Sequence, residues 1–77
     1  MGKVIQYPSG IYSTERQTFI ATAGQSDFII TDFIPTANIK IYIDGILTTF
    51  GWTIDLYTYI ITFTPARSVG EEIVITN

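Results

Sequence analysis

From Gln17 onward the chain repeats with a period of two wherever it repeats at all. Such a period marks strands with one buried and one outward face. "NIKIYIDGILTTFGW", residues 38–52, carries it most clearly, because Ile39, Ile41 and Ile43 alternate with Lys40, Tyr42 and Asp44. Asp44-Gly45 then supplies the positive φ that a tight type I′ hairpin turn needs, and the chain returns through residues 46–50. Gly51 frees the backbone to kink, which aims Trp52 and Ile54 at the core and makes Trp52 the expected aromatic anchor. No stretch shows helical periodicity.

The rest of the chain follows the same grammar. Residues 17–23, "QTFIATA", set Phe19, Ala21 and Ala23 against Thr18, Ile20 and Thr22, and Gly24-Gln25-Ser26 turns the chain into "DFIIT". That predicts a first hairpin. Pro35 interrupts pairing and opens a loop ending near Asn38. "YIITFT", residues 59–64, places Tyr59, Ile61 and Phe63 on one face, with Pro65 expected to close the strand. "EEIVIT", residues 71–76, follows a turn at Val69-Gly70 and points Ile73 and Ile75 inward. The expectation is an all-β fold: a small antiparallel β-sandwich or barrel-like domain of about six short strands over residues 16–77, preceded by an extended N-terminal arm, residues 1–15.

A chain of 77 residues has room for a single core, and a core this small usually needs disulfides, a metal or partner subunits. Cysteine is absent, and so is histidine, which removes disulfides and the usual zinc, copper and iron ligand sets. No cofactor is expected. Partner subunits remain, and an apolar fraction of 47% with a mean hydropathy of +0.34 predicts a homo-oligomer. The arm contributes to that expectation, since Val4, Ile5, Tyr7, Ile11 and Tyr12 are many apolar residues for a solvated tail. Pro8 and Gly10 would divide it into two contact segments. These either pack on the arm's own domain as an edge strand or cross to a neighbouring subunit or host structure. Together with Tyr42 on the outward face of its strand, they form the candidate assembly contact.

Other functions meet chemical obstacles. A net charge of −3 has the wrong sign for nucleic acid or an anionic membrane surface. No apolar run suits a transmembrane helix or a signal peptide, so the mature protein is expected to start at Met1. Met1-Gly2 is no myristoylation signal, because Gln6 stands where Ser or Thr is needed. Nucleophilic catalysis lacks its histidine base, while Asp27, Asp32, Asp44, Asp55, Glu71 and Glu72 all fall at strand ends or turns, where carboxylates are ordinarily solvated. No enzyme is expected. Asp44-Gly45 does not open a calcium loop, since Ile46, Thr48 and Phe50 occupy the ligand positions. Tyr42 and Tyr57 could make a sugar-binding platform, but strand aromatics more often serve a core or a subunit contact.

The order of these pieces resembles a family. "FIATAGQSDF", residues 19–28, resembles a recurring opening of bacteriophage fibre and virion-associated small β-domains, Phe-x-Ala-Thr-Ala-Gly-Gln before a second phenylalanine. "IKIYIDG", residues 39–45, is similar to their V-x-V-Y-x-N-G hairpin, "GWT", residues 51–53, to their Asp-Tyr-Thr step, and "ITFTPARSVGEEIVI", residues 61–75, to their closing strand pair. Asp44 stands for the usual Asn and Trp52 for the usual Tyr. The resemblance implies a non-enzymatic structural protein of a bacteriophage virion, assembled in the host bacterial cytoplasm. Because such modules usually sit in long fibre proteins and little besides the module and an arm is present here, it implies a small capsid-attached head-fibre or decoration subunit. Its expected partners are itself, as a homotrimer or homodimer, and other virion proteins such as a capsid or fibre protein, with neither nucleic acid nor membrane. A tail-fibre or tail adaptor protein is the alternative in that class. Outside it stands a carbohydrate- or peptide-binding β-module.

Overall fold

Alternate residues of short strands meet in a core between two antiparallel sheets. The computed structural model describes residues 15–77, so Val4, Ile5, Tyr7, Ile11 and Tyr12 of the candidate contact lie outside the described residues. The described residues contain no helix and seven strands: β1 (Arg16–Ile20), β2 (Gln25–Ile29), β3 (Lys40–Ile43), β4 (Ile46–Thr48), β5 (Trp52–Asp55), β6 (Ile60–Arg67) and β7 (Glu72–Thr76). One sheet has the order β1-β7-β3-β4 and the other β2-β6-β5. Every pairing is antiparallel. The expected all-β class is therefore present, with one strand more than expected, because residues after Gly51 form β5 instead of a mere kink.

The inward positions fill the space between the sheets as the alternation predicts. Ile41, Ile73 and Ile75 from the four-stranded sheet and Phe28, Ile61 and Phe63 from the three-stranded sheet are buried in one cluster. Phe28 joins the layers. Its ring meets Phe19 edge-on at 5.3 Å and Phe63 edge-on at 5.4 Å, the geometry that sets the positive rim of one ring against the negative face of another. At the β3–β4 turn Asp44 has φ 50° and Gly45 φ 82°, the two positive values of a type I′ turn, and Ile43 pairs with Ile46 across it. Asp44 also ties the turn to β7, donating its N–H to the Glu72 carbonyl at 2.8 Å and accepting the Glu72 N–H on Oδ1 at 2.9 Å.

Four expectations are corrected. First, β1 and β2 do not form a hairpin, because β1 pairs with β7 and β2 with β6. The chain crosses between sheets at Ala21, whose N–H donates to Glu71 O at 2.9 Å and whose carbonyl accepts from Gly70 N at 2.8 Å. Crossing places Phe19 and Phe28 opposite each other across the core, where a hairpin would have put them side by side in one sheet. Second, β6 does not stop before Pro65. The register along β2 and β6 shifts so that the step from Asp27 to Gln25 spans the longer run from Thr62 to Arg67. The proline, which has no N–H to give, lies in the surplus that this shift leaves outside the ladder.

Third, Trp52 is only half-buried. It packs against the rim of the core rather than in its middle. Fourth, Tyr42 is on the outward face of β3 as expected, but it is buried there, with 3% of its surface exposed. It lies beside Val74, its partner on β7, and the two form a second buried cluster on the side of the sheet away from the core.

Candidate functional site

Three surfaces carry features that packing of the main core does not require. The first is the outer face of the three-stranded sheet. Pairing aligns Asp27 with Thr62 and Thr62 with Thr53 in one row, and Ile29 with Ile60 and Ile60 with Asp55 in the next. The β5–β6 turn rises beside them, and the result is a hollow of about 330 Å³ lined by Asp27, Thr53, Ile54, Asp55, Thr58, Ile60 and Thr62. Thr62 Oγ1 donates to Asp27 Oδ1 at 3.0 Å.

Asp55 is held by the turn it begins. Its Oδ1 accepts the backbone N–H of Tyr57 at 2.8 Å and that of Thr58 at 3.3 Å. These two bonds, Tyr57 first, favour the charged carboxylate and lower its pKa. A carboxylate so held accepts hydrogen bonds and is a poor proton donor. The hollow therefore offers threonine hydroxyls and two carboxylates beside the apolar side chains of Ile54 and Ile60. Among the described residues no cluster of three or more carboxylates could hold a metal ion. Sequence reasoning passed over this hollow because Asp27 and Asp55 read as solvated strand-end residues, and only sheet pairing brings them to one face.

The second surface surrounds Tyr42. Of the six candidate contact residues, this is the one within the described chain, and its burial removes it from the accessible surface. Tyr57, the other aromatic considered for a platform, is almost fully exposed in the turn between β5 and β6. Tyr42 belongs to the other sheet, so the two rings make no joint platform.

The third surface is the edge of β4. Among the described residues this strand pairs with β3 on one side and ends its sheet on the other. Ile46 is 70% exposed, Leu47 50% and, just beyond the strand, Phe50 83%. Natural edge strands usually carry a charge or a proline that blocks further pairing, and β4 carries neither. The signal was present in the sequence. Residues 45–54, "GILTTFGWTI", are an uncharged run between Asp44 and Asp55.

Compared with known proteins, the chain matches no family model, no curated protein and no solved structure.

Proposed function

We propose that this chain is a non-enzymatic structural subunit of a bacteriophage virion, a small capsid-attached head-fibre or decoration protein that assembles with copies of itself and with other virion proteins. The observation that carries the assembly role is the uncharged β4 edge with Ile46, Leu47 and Phe50 exposed beside it. Exposed apolar groups next to main-chain donors and acceptors that pair with no strand among the described residues suit strand addition by a partner, in which backbone bonds give affinity and alternate side chains give specificity. The virion assignment rests on the resemblance of the four segments, which fall on the β1–β2 crossing, the β3–β4 turn, the start of β5 and the β6–β7 pair. A tail-fibre or tail adaptor role uses the same surfaces.

The test is quantitative mass spectrometry of purified particles, before and after separation of heads from tails. Stoichiometric presence in the head fraction is the expected result; recovery with tails favours the adaptor role, and absence from particles overturns the proposal. A carbohydrate-binding role is the second reading, supported by the threonine hydroxyls and carboxylates that line the hollow beside Ile54 and Ile60. Titration of the isolated chain with an array of host surface glycans discriminates it, because a structural subunit needs no saturable glycan binding that Thr53→Val and Thr62→Val abolish.

A further inference from the structure

Four strands end the two sheets among the described residues, β1 and β4 in one and β2 and β5 in the other. Three of them carry a charged residue: Arg16 in β1, Asp27 in β2 and Asp55 in β5. Such charges oppose pairing with a further strand. β4 carries none. Its register with β3 also decides which of its backbone groups face outward. Asp44 donates its N–H to Glu72 O at 2.8 Å, so the even-numbered positions along β3 turn their main-chain groups toward β7, and the odd-numbered ones, Ile41 and Ile43, turn theirs toward β4. Ile46 and Thr48 pair with those two, and their main-chain groups are occupied by the ladder. Leu47 stands opposite Tyr42, which bonds to β7, so both the N–H and the C=O of Leu47 point away from the sheet.

We propose that a second copy of this chain occupies that edge, joined by antiparallel pairing of β4 with β4 about a two-fold axis through Leu47. The inference rests on the reading of β4 as the assembly edge, and names its partner and register. Position 47 is where such a symmetric pair closes, because two residues that each present an outward N–H and C=O exchange both bonds when they stand opposite one another. A pairing centred on Ile46 or Thr48 would set occupied groups against occupied groups. In the Leu47 register, Ile46 of each copy stands opposite Thr48 of the other, and Phe50 of each lies diagonally beside Ile46 of the other, within reach of an aromatic ring. Phe50, 83% exposed, and Ile46, 70% exposed, thereby cover each other on both sides of the axis. Charge agrees with this pairing. Residues 45–54 contain no charged residue, so the contact sets no like charges face to face although each chain carries a net −3.

Cysteine cross-linking of the full chain reads the register directly, since the chain has no thiol of its own. Paired Cα atoms of residues that exchange both bonds stand about 5.5 Å apart, inside the span of a disulfide. Thr49 is exposed too, but in this register it is separated from Thr49 of the other copy by four residue steps along the strands, about 14 Å. Mild oxidation should convert Leu47→Cys to a covalent dimer at least about tenfold faster than Thr49→Cys, and sedimentation equilibrium should show the wild-type chain as a dimer. Comparable cross-linking at the two positions, or a wild-type chain that stays monomeric, overturns the proposal. An oligomer that Ile46→Lys with Leu47→Lys dissociates, but that Leu47→Cys does not lock, overturns the two-fold register and leaves β4 as an assembly edge for another partner. A chain that cross-links through position 47 yet is missing from virions supports the pairing and fails the virion assignment alone.

Discussion

The indole of Trp52 donates its Nε1–H to the carbonyl oxygen of Thr48 at 2.9 Å, bridging from β5 back to the end of β4. The two strands belong to different sheets. Gly51 makes the bond feasible, since its φ of 83° turns the backbone sharply between them. The tryptophan thus ties the sheets together at the rim of the core.

Replacing Trp52 should separate these contributions. Trp52→Phe loses the hydrogen bond and part of the apolar contact, at a cost of about 1 to 2 kcal/mol. Trp52→Ala should cost about 2 to 4 kcal/mol, less than for a fully buried tryptophan. Urea unfolding curves measure both. Equal stability of all three proteins would show that the ring contributes nothing to the fold.

Phe28 should be far less tolerant, because it sits between the Phe19 and Phe63 rings with almost no exposed surface. Phe28→Ala is expected to lose about 3 to 5 kcal/mol, a large share of the roughly 4 to 12 kcal/mol available to a domain of this size. Phe28→Leu should retain a cooperative melt at a lower temperature. Thermal denaturation followed by circular dichroism distinguishes these outcomes.

Asp55 sets a pH dependence. Its pKa is lowered by the Tyr57 and Thr58 amides, so it binds a proton less readily folded than unfolded. Its contribution is therefore present above the unfolded carboxylate range and lost as pH falls through the lower folded value. Wild type should melt at a higher temperature than Asp55→Asn at neutral pH, and the difference should vanish in strong acid. A difference that grows on acidification would contradict the assigned hydrogen bonds.

The β4 edge should govern self-association. Ile46→Lys with Leu47→Lys places two charges on an edge strand whose side chains are already exposed, so the fold should survive while pairing of copies is repelled. Sedimentation equilibrium is expected to show an oligomer for wild type and a monomer for the double variant. Identical association of the two proteins would move the contact to another surface.

What the sequence determined by itself was local. Alternation of Ile39, Ile41 and Ile43 identified an inward face, and Asp44-Gly45 identified a turn, because backbone sterics and a two-residue period need no distant partner to act. Ile73 and Ile75 were legible for the same reason. The choice of neighbours belonged to the tertiary structure. Whether β1 joins β2 or β7 depends on which arrangement lets Phe19 and Phe28 meet across the core, and no short stretch contains both sides of that comparison. The same holds for the rows that bring Asp27, Thr62 and Thr53 together. Tyr42 shows the limit most plainly: alternation assigned it to the outward face, but a side chain's exposure is set by what lies over it, and a period of two says nothing about that.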